Sequence, residues 1–131
     1  AVQDDMLYVA AGGLETGAIH TYNWRQGSVE GLIRPKSDLA FSMPWGVAVS
    51  GKMLYVSEQG DSSEDVPGRI WILRLPDDLS SADPEVLQII PSPDGEELAG
   101  LCLDGDRLWC IGPPFPRDGA RSKINIFAPI V

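Results

Sequence analysis

The chain has 131 residues, with 10 Lys and Arg against 19 Asp and Glu, and its formal net charge at pH 7 is −9. A chain this acidic is not expected to bind nucleic acid, because phosphates are bound by stripes of Lys and Arg, whereas a cation is a permitted ligand. No apolar run is long enough to span a bilayer, so a membrane is not expected as a partner either.

One phrase occurs three times along the chain, at residues 5–10, 52–57 and 106–111. Leu7 and Leu54 are 47 positions apart, and Leu54 and Leu108 are 54 positions apart. A second phrase follows each copy, at residues 17–22, 68–73 and 122–127. An internal period of this length, built from short strands, is typical of the blades of a β-propeller or of an open array.

The middle unit, about residues 41–92, contains four predicted strands, which we label a to d from the innermost outward. Strand a covers residues 45–50, strand b 53–57, strand c 68–75 and strand d 86–90. Gly51-Lys52 is expected to form a tight turn between a and b. A long polar stretch, residues 58–67, joins b to c.

The flanking units, about residues 1–40 and 93–131, contain parts of the same order. The first has strands b and c in the matched phrases and strand d at residues 29–33, but no strand a before Asp5. The third has strand a at residues 98–103, a turn at Asp104-Gly105, strand b at 108–111 and strand c at 124–127, but no clear strand d.

The pattern predicts an all-β chain of about three antiparallel four-stranded propeller blades, incomplete at both ends, within one segment spanning residues 1–131. A blade cannot bury its own apolar faces, so three incomplete blades leave two faces bare. The missing blades are expected from other copies of the chain, a second polypeptide or the rest of a longer chain. The alternative fold is a stand-alone sandwich of two sheets.

Strand direction predicts that the b–c and d–a loops share one rim. The b–c loops, at residues 11–16, 58–67 and 112–121, are long for hairpin connections, which favours a binding site on this rim over simple solvated loops. The ligand-binding candidates are Trp45, Glu58, Glu97, Arg117 and Arg121. The Trp45 ring is suited to stacking on a ligand or to packing between blades. The two arginines are suited to a phosphate or carboxylate, or to surface ion pairs.

The middle b–c loop is also a candidate calcium site. Ca²⁺ takes six to eight oxygen ligands in loose geometry, and Glu58, Asp61 and Asp65 supply carboxylates within eight positions. The loop lacks the mid-loop Gly and terminal Glu of an EF-hand. A solvated acidic loop and direct contact with a substrate are the alternatives.

Other groups give little support to catalysis. His20 is the single histidine, so a His-rich zinc site and a His-His relay are excluded, and no Gly-x-Ser-x-Gly elbow occurs.

A hairpin centred on Asp104-Gly105 would place Cys102 opposite Arg107, so no disulfide with Cys110 is expected. The two cysteines leave the redox compartment open, and a secreted or periplasmic location is favoured among the alternatives. The chain begins at Ala1 rather than Met, which suits a processed precursor or a trimmed chain.

Residues 43–49, 54–60 and 68–70 resemble a blade of the NHL and gluconolactonase-type propellers, and equally of the soluble sugar dehydrogenases that use pyrroloquinoline quinone. Residues 98–109, with Gly112-Pro113 and residues 117–119, are similar to a blade of esterase-like phytase propellers, although Ala99 stands where that family has Glu. The resemblance implies a propeller that is a calcium-assisted lactonase, a strictosidine-synthase-like protein, a quinoprotein dehydrogenase or a binding ring. Glu58 corresponds to a rim carboxylate in such families.

Three functions follow from these patterns, and whether the protein is an enzyme stays open. The first is a propeller subunit or fragment that completes a ring with other blades and binds a small molecule or a partner on its long-loop rim. The second is a hydrolase of lactones or phosphate esters, in which Glu58 with Asp61 or Asp65 holds Ca²⁺ against a substrate oxygen. The third is a quinoprotein sugar dehydrogenase.

Overall fold

The computed structural model describes residues 1–79, 82–114 and 121–127. Within these ranges eleven strands form three antiparallel sheets, and in each sheet the strands lie side by side in chain order. The first sheet comprises β1 (Val2–Gln3), β2 (Met6–Ala11), β3 (Ala18–Asn23) and β4 (Ser28–Ile33). The middle sheet comprises β5 (Pro44–Ser50), β6 (Met53–Glu58), β7 (Arg69–Arg74) and β8 (Glu85–Pro91). The third sheet comprises β9 (Leu101–Asp104), β10 (Arg107–Gly112) and β11 (Lys123–Phe127).

This arrangement confirms the prediction of an all-β chain, and its three sheets rule out the alternative sandwich of two. The first and middle sheets each have four strands, and the described part of the third has three. Two short 3-10 helices, Ser62–Glu64 and Pro93–Gly95, lie in the connections. Across the described residues, no helix has the length and apolar character needed to cross a membrane.

The first sheet does contain an innermost strand, so the prediction of no strand before Asp5 is wrong. Val2 pairs with Leu7 and Gln3 with Met6, and Asp4 adopts the left-handed φ of 53° in the turn between them. Two residues are enough to pair here because the Gln3 side chain also bonds to the backbone of Gly51 in the neighbouring sheet. So short a strand has no periodicity that a sequence pattern could detect.

The hairpin of the third sheet differs from its predicted register. Arg107 pairs with Asp104, so the turn is centred on Gly105-Asp106, and Gly105 has the positive φ of 59° that such a turn requires. Cys102 therefore lies opposite Trp109 rather than Arg107. Cys102 and Cys110 are both free thiols; Cys102 is exposed and Cys110 is buried.

The middle sheet is covered on both faces because its side chains alternate. Leu54 and Val56 on β6 belong to an apolar cluster shared with the first sheet, and Tyr55 between them belongs to a cluster shared with the third. On β7, Trp71 points to the first cluster and Ile72 to the second. We call the side of each sheet that points toward the C-terminal end of the stack its forward face. The side that points toward the N-terminal end is its rear face.

The two clusters are the core of the described chain. Between the first and middle sheets lie Tyr8, Ile19, Ile33, Phe41, Leu54, Val56, Trp71, Leu73 and Leu75. Between the middle and third sheets lie Ala48, Tyr55, Ile70, Ile72, Leu98, Leu108 and Cys110. Burial raises the pKa of the Cys110 thiol to about 11, so this side chain packs as a neutral apolar group.

Neighbouring sheets approach one another through their inner strands. β5 contacts β1 and β2 of the first sheet on one side and β9 of the third on the other. Close approach is possible because Gly46 on β5 has no Cβ, and a Cβ there would lie 2.5 Å from the Leu101 backbone nitrogen. The sheets are therefore stacked face to face in chain order with their inner strands in contact.

Candidate functional site

The starts of the three loops predicted to share a rim are linked to one another within the described residues. Met43, in the connection from the first to the middle sheet, donates its N–H to Gly13 and accepts from Gln59. Gln59 in turn accepts from Leu98, in the connection to the third sheet. Gly112 then lies against the Glu97 carbonyl, where a Cβ would come within 2.2 Å. The starts of all three b–c loops are thus joined through the d–a connections.

The middle b–c loop has a defined conformation. Asp61 caps the 3-10 helix Ser62–Glu64, and its carboxylate accepts from the Ser63 N–H at 3.0 Å. Asp61 also forms an isolated β-bridge with Val66, which requires the left-handed φ of 54° at Asp65 between them. The Asp65 side chain is exposed. Of the two loop carboxylates predicted to bind a metal, Asp61 thus has a role in shaping the loop.

Glu97 holds this loop from the neighbouring connection. Its Oε1 accepts from both the backbone N–H and the hydroxyl of Ser62, each at 3.0 Å. The adjacent Glu96 forms an ion pair with Lys123 of β11 at 3.0 Å. The structure therefore brings the Glu97 carboxylate to the loop that contains Asp61.

Glu58 is in a different environment from the one expected of a rim ligand. The residue is 2% exposed, and Arg69 donates to its Oε1 from Nη2 at 2.6 Å and from Nε at 2.7 Å. The Ser42 N–H donates to the other oxygen, Oε2. Both carboxylate oxygens are therefore already bonded within the chain, and Glu58 joins the middle sheet to the connection that enters it.

Arg69 and Ser42 are members of this group that sequence reasoning did not identify. Arg69 lies directly opposite Glu58 in the β6–β7 register, so the pair is recognisable once strands b and c are aligned on their matched phrases. The guanidinium also lies 5.2 Å from the centre of the Trp71 ring. The Ser42 contact comes from the backbone, so no sequence signal reveals it.

The remaining candidates are dispersed. Trp45 is 43% exposed at the start of β5. Arg121 is exposed just before β11. Arg117 lies outside the described residues. No group of three or more His, Cys, Asp or Glu side chains within the described ranges is placed to hold a metal ion, and the calcium site stays a prediction from the sequence.

Comparison with known proteins returned no relatives. The chain matches no family model, no curated protein and no solved structure. The resemblance to propeller blades therefore stays a prediction.

The most distinctive surface is the forward face of the third sheet. Trp109 lies opposite Ile126 and Ile111 opposite Ile124 in the β10–β11 register, so these four side chains share one face. Ile111, Ile124 and Ile126 are all exposed. A groove of about 550 Å³ runs over this face and is lined by residues 100–104, Trp109, Cys110, Ile111 and Ile124. A single exposed apolar side chain is ordinary, but a contiguous apolar sheet face indicates a binding surface.

The rear face of the first sheet is the second such surface. Leu7 pairs with Tyr22, Val9 with His20, and His20 with Leu32, so these side chains share the face that points away from the middle sheet. Val9 and Leu32 are exposed, and the other three are partly exposed. The described chain thus has two sheet faces that none of its other described sheets covers.

Residues at matched positions in the three sheets differ in exposure according to whether a neighbouring sheet covers them. Ile19, Ile70 and Ile124 occupy the same place in the second matched phrase, and the first two are 0% exposed while Ile124 is 63% exposed. Tyr8 and Tyr55 are likewise buried on forward faces. The uncovered faces therefore carry the same kinds of side chain that are buried between sheets inside the chain.

Proposed function

We propose that the chain is a segment of a larger β-propeller, in which its three sheets are consecutive blades and its two uncovered faces pack against further blades. The observation that carries this proposal is the burial of Ile19 and Ile70 against the exposure of Ile124 at the matched position. Burying an isoleucine contributes about 1.5–3 kcal/mol, so each uncovered face retains a strong drive to bind.

The rim formed by the long loops is, in this proposal, the face that receives a small molecule or a partner. Support comes from the hydrogen bonds that join Gly13, Met43, Gln59 and Leu98 across the three sheets, and from the Glu97 contacts that hold the middle loop in one conformation. Loops held on a rigid scaffold are the usual carriers of binding.

The proposal is tested by comparing matched isoleucine pairs on a buried and an uncovered forward face. Ile124→Thr with Ile126→Thr changes the third sheet, and Ile70→Thr with Ile72→Thr makes the same change on the middle sheet. We expect the first variant to retain its free energy of unfolding as a monomer within about 0.5 kcal/mol, and the second to lose at least about 3 kcal/mol because both side chains are fully buried.

Binding by the uncovered faces is measured on the same proteins with an apolar fluorescent dye and by mass in solution. The wild-type chain should either bind the dye or self-associate, and Ile124→Thr with Ile126→Thr should reduce whichever of the two occurs. A wild-type monomer that does neither would overturn the proposal. Equal losses of stability in the two variants would also overturn it, because they would place Ile124 and Ile126 in the chain's own core.

A further inference from the structure

We infer that the forward face of the third sheet binds the rear face of the first sheet in a second copy of this chain. This inference rests on the proposed function and names the partner of the uncovered faces. It is an interaction between two unlike surfaces of identical molecules, so it is a head-to-tail association.

The inference rests on the direction of the internal contacts, because each one joins a forward face to a rear face. Between the first and middle sheets, the forward-face residues Tyr8 and Ile19 pack with the rear-face residue Leu54. Between the middle and third sheets, the forward-face residues Tyr55 and Ile70 pack with the rear-face residue Leu108. Each internal junction therefore joins an aromatic and isoleucine face to a face with leucine at the matched position.

The two uncovered faces are the two halves of a junction of this kind. The forward face of the third sheet presents Trp109 and Ile124, at the positions of Tyr55 and Ile70. The rear face of the first sheet presents Leu7, at the position of Leu54 and Leu108. Pairing two forward faces or two rear faces would make a contact that neither internal junction contains.

The number of sheets is also consistent with closure. Each copy supplies three sheets, and two copies joined at both junctions supply about six, within the four to eight blades of propeller rings. A head-to-tail contact that does not close would extend into an open filament. A dimer of defined size is therefore the expected product.

The test uses one charged substitution on each face and measures mass by sedimentation over a range of concentrations. Ile124→Glu changes the forward face of the third sheet and Val9→Glu the rear face of the first, and Leu32→Glu repeats the second change at another exposed position. Ile89→Glu places the same charge on an exposed isoleucine of β8, in the middle sheet and on neither uncovered face, and serves as the matched control. Thermal unfolding of each variant checks that it is folded.

We expect the wild-type chain and Ile89→Glu to dimerise, and the dissociation constant of each face variant to rise at least tenfold. An equimolar mixture of Ile124→Glu and Val9→Glu should recover dimers, because one of its two junctions joins two unsubstituted faces. If Ile124→Glu dissociates the dimer while Val9→Glu and Leu32→Glu leave it intact, the contact joins two forward faces and the inference is wrong. If the wild-type chain stays monomeric at high concentration yet binds an apolar dye, a second copy is not the partner, although the proposed propeller function stands.

Discussion

Glu58 shows how burial changes the meaning of a carboxylate. In the sequence it ends a strand beside an acidic loop and looks like a metal ligand, but in the fold it accepts from Arg69 and Ser42 and is shielded from water. A buried carboxylate needs such partners because losing hydration costs several kcal/mol per ion. Its role in the described structure is to fasten the entry to the middle sheet.

Substituting Arg69 should show how much stability depends on pairing the buried Glu58 carboxylate. Arg25 provides a matched control. Arg69 and Arg25 each pair with a carboxylate and each lie about 5 Å over a tryptophan ring, but Glu58 is buried whereas Asp5 is exposed. Arg69→Met should lower the free energy of unfolding by about 3 kcal/mol, since it leaves a buried charge poorly compensated.

The control substitution, Arg25→Met, should cost less than about 1 kcal/mol, because an exposed ion pair contributes little. Urea denaturation of both variants measures the difference. Equal small losses would mean that water reaches Glu58 after all and that the ion pair does not fasten the sheet.

The connections between sheets pass close to glycines, whose lack of a Cβ leaves room for the neighbouring backbone. Gly17 precedes β3 and exchanges two hydrogen bonds with Phe41, in the connection to the middle sheet. A Cβ at Gly17 would lie 2.2 Å from the Phe41 carbonyl oxygen. Gly68 occupies the matched place before β7 and has the Leu98 backbone nitrogen 2.8 Å from its Cβ position. Close packing against a neighbouring backbone thus explains why glycine stands at the first position of two of the matched phrases.

Gly17→Ala should therefore destabilise the protein by about 1–3 kcal/mol, the usual cost of overpacking. Gly31→Ala on β4 is the comparison, because its Cβ would meet only the Thr21 hydroxyl at 3.8 Å, and alanine is favoured over glycine in a strand. Thermal unfolding distinguishes the two. A tolerated Gly17→Ala would show that the connection to the middle sheet can move away without loss.

The net negative charge of the chain opposes its association with a second copy. Each copy has a net charge of −9, whereas Ile124, Trp109 and Leu7, which are proposed to meet at the junction, are uncharged. Raising the salt concentration from about 0.05 M to 0.5 M should screen the repulsion and strengthen dimerisation. Sedimentation at several salt concentrations measures this, and a dimer that dissociates as salt rises would instead indicate a contact held by ion pairs.

Much of the fold was predictable because it depends on local pattern. The spacing of the matched phrases and the alternation on β6 and β7 predicted the strands and their order, since period two and turn residues are short-range properties. The Gly51-Lys52 turn is confirmed by the pairing of Ser50 with Met53.

What the sequence could not determine depends on residues distant along the chain. The pairing of Val2 with Leu7 is too short to leave a pattern, the Cys102–Trp109 register depends on which residues the turn selects, and the two donors to Glu58 reach it from another strand and from a backbone amide. Local sequence chooses strands because backbone and turn preferences act over a few residues. Burial is decided only when sheets stack. Glu58 is buried in the assembled fold and holds the entry to the middle sheet, whereas Ile124 stays exposed because no described sheet stacks on its face.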